Sequence, residues 1–220
     1  MTKKVVVGVT GASGAPYARR LLEVLRGRAD VELGVCTSQT ARDVWALECG
    51  GDLVEAAGAK VWGVRDYAAP FASGSAGWSA MVVVPCSMGT AARIAHGISD
   101  TLLTRAADVM LKERRTLIVV PRETPLGLVH LENLTQLARL GALVLPAMPS
   151  FYGKPTTLDD AIDTVVGRIL DHLGLEHALL RRWDGTSPAS PGRGQNQGDG
   201  TSPASPGRGQ DQGGTSSGAR

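Results

Sequence analysis

Three glycines, Gly8, Gly11 and Gly14, recur every third residue in VVVGVTGASGAPYARRLLEVL, where a β-branched run turns into a helical pattern. Such a turn presents backbone N–H groups at a helix N-terminus, which attracts anions and phosphate above all. The spacing is G-x-x-G-x-x-G rather than the G-x-G-x-x-G of dinucleotide sites, and no acid follows the second apolar run to take a ribose diol. That run ends in VCTSQT, so Ser38 offers a neutral hydroxyl, better suited to a phosphate. The plainer alternative is a tight turn in which Ser13 caps the next helix. A second turn, PCSMGTAARI, puts Ser87, Gly89 and Thr90 at the start of another helix. Two such turns at neighbouring strand ends would face one crevice.

Charged groups follow the later apolar runs. VPRETPL sets Arg122 beside Glu123, costly to bury unless paired or used. Perturbed charges cluster at functional sites, although a structural ion pair is the competing reading. Arg105 and Lys112 stand seven residues apart in LLTRAADVMLKERR, two helical turns, so both can share a face. Each taken singly reads as a solvated cation. PAMPSFYGKP carries Phe151 and Tyr152 in a chain with only 4% aromatics. Packing is the default for such rings, but a tyrosine at a strand end can present its hydroxyl to an anion. Arg168 and Trp183 complete the candidates. Cys86 reads as a small packing residue with no base nearby.

The elements that position these residues alternate. Near-continuous apolar runs at 5–9, 32–36, 81–84, 117–120 and 143–145 read as strands buried on both faces of a parallel sheet. Amphipathic patterns at 17–26, 39–49, 101–112, 131–140 and 158–173 read as helices. The expected fold is α/β, a doubly wound parallel sheet with its ligands beyond the carboxyl ends of the strands.

Composition bounds the rest. A net charge of +2 argues against nucleic acid or an anionic membrane as partner, and no apolar run approaches a membrane span. Three cysteines without a CxxC pair favour reduced thiols and a cytoplasmic protein. Four scattered histidines give no metal-ligand spacing, so no metal site is expected. From Gly185 a Gly/Pro/Ser/Gln repeat begins, and its unit returns at Gly200. Such a segment buries too little to offset its ordering entropy. We therefore expect a folded domain over 1–184 and a disordered tail over 185–220.

Together GVTGASGAPYARRLLEVL, APFASGS, VVVPCSMGTAARIAHGISDTLLTRAADVMLKERRTLIVVPRETPL, HLENLTQLARLGALVLPAMPSFY and RILDHLGL resemble the flavin prenyltransferase family, the UbiX-type proteins formerly described as aromatic acid decarboxylase subunits. The resemblance spans the folded unit. It implies a Rossmann-like flavoprotein, usually a dodecamer, that joins a dimethylallyl group from dimethylallyl phosphate to N5 and then C6 of reduced FMN, without metal. The product, prenylated FMN, serves UbiD-type decarboxylases. Carried onto this chain, FMN is held by Gly11, Ala12, Ser13, Ser38, Ser87, Met88, Gly89, Thr90 and Arg122. The prenyl phosphate is held by Ser73, Arg105, Lys112, Tyr152 and Arg168. Glu123 is the acid/base, partly buried near the phosphate, with Ser13, Glu48, Lys112 and Trp183 completing the catalytic set. Tyr67 stands where the family often has tryptophan. Two other readings remain open: an FMN-dependent cysteine-decarboxylase-type flavoprotein, which needs a histidine, and a non-catalytic FMN-binding subunit of an aromatic acid decarboxylase.

Overall fold

The computed structural model describes residues 2–180 and 182; Trp183 and the repeat tail lie outside the described residues. Six strands, β1 (Lys3–Val9), β2 (Val31–Thr37), β3 (Val61–Trp62), β4 (Ala80–Cys86), β5 (Thr116–Pro121) and β6 (Leu143–Val144), form one sheet in the order β3-β2-β1-β4-β5-β6. All pairings are parallel. The helices are α1 (Ala15–Leu25), α2 (Ala41–Cys49), α3 (Leu53–Ala57), α4 (Met88–Ala95), α5 (Leu102–Lys112), α6 (Leu128–Arg139) and α7 (Leu158–Leu173).

Alternation along the strands sends side chains to two cores. Val5, Val7, Val9 and Val82 pack with α1, α2, α3 and α7. Val6, Cys36, Met81 and Val83 pack with α4, α5, Phe71 and Trp78. Every residue of β4 is buried, as expected for a strand with helices over both faces. The predicted doubly wound sheet is what forms. Successive strands step outward from β1 in one direction and from β4 in the other, so the direction of winding reverses between β1 and β4. Ligands of such sheets sit at this reversal.

Three differences from the sequence expectation bear on the site. The edge strand β3 was not expected; with two residues it carries no readable period. Helix α1 starts at Ala15, because Pro16 suits the first turn of a helix, whose N–H groups have no intrahelical acceptor. Its cap residue is Gly14, at φ 114°, and not Ser13. Strand β4 reaches Cys86 through Pro85, and its register against β5 shifts between Val83 and Cys86, where proline has no N–H to give the ladder.

Candidate functional site

Thr10 closes β1 and is 1% exposed. Its hydroxyl donates to the carbonyl of Pro85 at 2.7 Å and accepts from the N–H groups of Ser87 at 3.0 Å and Ala12 at 3.3 Å. One hydroxyl thus ties the turn after β1 to the turn after β4. The next residue, Gly11, donates its N–H to Ser38 Oγ at 3.1 Å. A Cβ on Gly11 would collide with the Thr40 hydroxyl, so glycine is required there by contact rather than by backbone angle.

The N-terminus of α1 is filled by the protein itself. Glu48, from α2, accepts with Oε2 from the N–H groups of Gly14 and Ala15, both at 2.8 Å. Burial pushes this carboxyl up, but hydrogen bonds from the Ser13 hydroxyl and the two N–H groups, with the charge of Arg122, hold it below the ordinary glutamate value. Arg122 Nε in turn donates to the Ser13 carbonyl at 3.0 Å. Ser13, Glu48 and Arg122 therefore form one cluster. The helix end that the sequence suggested for a phosphate already carries an anion.

The N-terminus of α4 stands open instead. Ser87 is its cap: Oγ accepts from Thr90 N–H at 3.3 Å and lies 3.0 Å from Thr90 Oγ1. Beside it lies a cavity of 480 Å³, lined among others by Gly11, Ser38, Thr40, Arg65, Ser87, Gly89, Thr90, Arg93, Asp100 and Thr104. Hydroxyls dominate this wall. Arg93 reaches back one turn to the Gly89 carbonyl at 3.2 Å and to Asp100 at 3.4 Å. The Arg65 side chain is exposed and has no hydrogen-bond or ion-pair partner among the described residues. The volume suits a mononucleotide-sized ligand. The hydroxyls, the open helix end and the two guanidinium groups suit its phosphate. These residues fit FMN.

Of the predicted FMN set, Gly11, Ser38, Ser87, Gly89 and Thr90 line this cavity; Ala12, Ser13, Met88 and Arg122 do not. The Met88 side chain is buried in the core. No histidine lines the cavity. Burial pushes the thiols of Cys36 and Cys86 up to about 12, so both stay neutral packing groups. Among the described residues no group of three or more His, Cys, Asp or Glu is arranged to hold a metal, and no helix is long and apolar enough to cross a membrane.

The predicted prenyl-phosphate residues fall into two places. Ser73 follows a short 3-10 turn, Pro70–Ala72, and Arg105 Nε donates to the Ala72 carbonyl at 3.1 Å. Lys112 lies on the same helix as Arg105 and pairs with Glu113 at 2.9 Å. Tyr152 and Arg168 instead line a second cavity of 520 Å³, with Ser150, Thr164, His172 and Leu180. Ser73, Arg105 and Lys112 line neither cavity. Glu123 departs from expectation. It is exposed, its carboxylate accepts from the N–H of Thr124 at 3.1 Å, and no ion pair joins it to Arg122, which turns towards Ser13. Adjacent residues at a strand end point opposite ways, so neighbours in sequence need not meet.

Sequence reasoning missed Thr10, Thr40, Arg65 and Arg93. Thr10 had a readable signal, a hydroxyl between glycines at a strand end. Arg93 had another, its i+4 relation to Gly89.

Residues 1–170 match the Flavoprotein family. The flavin prenyltransferase UbiX of Methanothermobacter thermautotrophicus is 47% identical over 186 residues, covering 83% of this chain and 96% of that protein. The crystal structure of AnUbiX in complex with FMN and dimethylallyl pyrophosphate superposes with a TM-score of 0.81 at 41% identity, covering 84% of this chain and all of that one. A dodecameric FMN-dependent UbiX-like decarboxylase from Escherichia coli O157:H7 superposes at 0.79 with 46% identity, covering 82% of this chain and 98% of that one.

Proposed function

This chain belongs to the UbiX-type flavin prenyltransferases, and from that premise we propose that it transfers a dimethylallyl group from dimethylallyl phosphate to N5 and then C6 of reduced FMN. The observation that carries the reading is the 480 Å³ hydroxyl-lined cavity where the winding of the sheet reverses, beside the N-terminus of α4, which is capped by the Ser87 hydroxyl and not by a carboxylate. FMN would be held by Ser38, Ser87, Gly89 and Thr90 through its phosphate, with Gly11 on the cavity wall; Ala12, Met88 and Arg122 join the set on the family resemblance. The reduced flavin supplies the nucleophile.

The chain's own residues do the rest. Leaving phosphate develops charge that Mg²⁺ meets in most prenyl transfers; here Arg105, Lys112 and Arg168 would meet it, with Ser73 and Tyr152 donating hydrogen bonds. The dry aromatic surroundings needed by an allyl cation would come from the flavin and Trp183. Ser13 and Glu48 orient groups at the turn after β1. Glu123 takes up the proton shed in ring closure. Because the phosphate ligands stand in two places on one chain, we propose that they meet across subunits of a homo-oligomer; that a relative is dodecameric supports such an assembly. We place the enzyme in the cytoplasm and name a UbiD-type decarboxylase as recipient of its product.

The test is the mass of the flavin after incubation with FMN, reductant and dimethylallyl phosphate. A gain of one C5H8 unit is expected. Recovery of unmodified FMN would leave the non-catalytic subunit reading. The cysteine-decarboxylase reading lacks its histidine at the cavity.

A further inference from the structure

Helix α7 ends at Gly174, whose φ of 65° lets the chain turn back on the helix. The returning segment, 175–180, lies against α7 at close range. A Cβ on Gly167 would collide with Leu180 and stand 3.0 Å from the His177 ring. Leu175 donates its N–H to the Leu170 carbonyl at 3.0 Å.

Asp171, on the same helix, gathers three donors. Its Oδ1 accepts from His177 Nε2 at 3.0 Å and from Arg182 Nη2 at 2.9 Å, and its Oδ2 accepts from Arg168 Nη1 at 2.7 Å. His177 Nδ1 accepts from the N–H of Leu179 at 3.2 Å, which assigns the ring proton to Nε2 and aims it at Asp171. The His177 side chain is 3% exposed and that of Asp171 16%, whereas Arg168 is 55% exposed. A shielded carboxylate thus grips an exposed cation with one oxygen and the returning segment with the other. Arg168 and Leu180, one from each side of this grip, line the 520 Å³ cavity that also holds Tyr152.

We propose that Asp171 is a positioning residue that presents Arg168 to an anionic ligand in this cavity and fastens the 175–180 segment as part of the cavity wall. The proposal rests on the reading that Tyr152 and Arg168 receive the prenyl phosphate. Left alone, the long Arg168 side chain would spread over many rotamers, and each would have to be given up on binding. Fastening it beforehand moves that loss from the binding step to folding. Asp171 does not touch the ligand and acts through Arg168.

Two variants test this in the full-length, FMN-loaded protein. Asp171→Asn removes a negative charge near the cavity, so electrostatics alone predicts tighter binding of dimethylallyl phosphate. Positioning predicts the reverse. Binding by calorimetry should weaken about tenfold and KM should rise in step, with kcat and FMN affinity unchanged, the pattern for loss of an interaction made equally in ground and transition states. Hydrogen exchange over 175–180 should quicken. Gly167→Ala leaves the carboxylate intact but pushes Leu180 and His177 off the helix, and it should shift binding and exchange the same way. Tighter or unchanged binding in both variants overturns the proposal, as does unchanged exchange. If Asp171→Asn does not fold, Gly167→Ala decides. Wild type that binds dimethylallyl phosphate without prenylating FMN would sink the functional reading alone, because binding and exchange still report on Asp171. Wild type that does not bind it sinks both.

Discussion

Replacing Glu48 tests whether the protein supplies its own anion to α1. In Glu48→Ala, the N–H groups of Gly14 and Ala15 lose an acceptor held at 2.8 Å, and the Ser13 hydroxyl and Arg122 lose a charged partner. A lost helix cap costs about 0.5–2 kcal/mol, and a hydrogen bond to a charged group contributes about 1.5–3 kcal/mol when shielded. Water reaches the half-buried Glu48, so the vacated N–H groups are partly resolvated, and a net loss of about 2 kcal/mol is expected. For a domain of this size that lowers the melting temperature by about 4–8 °C. Glu48→Gln keeps an accepting oxygen and loses the charge, so about half of that loss is expected. Thermal melts at one fixed protein concentration read both. Inorganic phosphate should restabilise Glu48→Ala more than wild type, because an anion can then settle on the vacated helix end. An Ala variant that melts with wild type, or a Gln variant that melts below Ala, would refute the argument. So would equal stabilisation of Ala variant and wild type by phosphate.

Glu123→Gln should fold and bind FMN normally, because the side chain is exposed, yet form prenylated flavin about 10²–10⁴-fold more slowly if it handles the proton; an unchanged rate removes it from the chemistry. Arg93→Gln should weaken FMN about fivefold, the effect of ~1 kcal/mol from a half-exposed ion pair, and leave riboflavin binding alone in fluorescence titrations; equal losses for both flavins would take Arg93 away from the phosphate. Asp160 caps α7 by accepting from Thr156 and Thr157, and these bonds hold its carboxyl down at about 2. A depressed carboxyl stabilises the fold above its ordinary value near ~4 and loses that contribution as pH falls through its folded value. Urea midpoints of wild type and Asp160→Asn should therefore differ by a constant amount above about pH 5 and converge towards pH 2; a gap that persists at low pH contradicts the assignment. Truncation after Asp184 should leave prenylation intact, since 185–220 has no apolar run to bury, and loss of activity would give the tail a role.

Legibility followed burial. The central strands were readable because strands covered on both faces are near-continuous apolar runs, and β4 is the extreme case. Helix α7 was readable to the residue: Thr157 and Asp160 form a capping box at its start and Gly174 turns left-handed at its end. The two-residue β3 was not, since its place in the sheet is set by β2 and not by its own sequence. The hydroxyl wall of the first cavity was half visible, through Ser38, Ser87 and Thr90. Arg65 and Asp100 were invisible, because only tertiary folding brings their loops to the turn after β1. Glu48 illustrates the same limit. Its contacts at Gly14 and Ala15 lie 34 and 33 residues away, and no local pattern announces that one helix will cap another.

The Thr10 hydroxyl has a bearing on the order in which the chain can mature during synthesis. Its partners at Pro85 and Ser87 lie 75 and 77 residues further on. Until those residues leave the ribosome, the turn after β1 has its nearer partners Ser38 and Glu48 but not its tie to the turn after β4, and the last residue lining the first cavity is Thr104. A flavin therefore cannot template the early half of this chain. The nascent protein must gather β1, β2 and β4 without it, and the flavin can stabilise only what has already closed. Starving cells of riboflavin should then lower the stability of the finished protein while leaving the first half of the sheet as able to form as before.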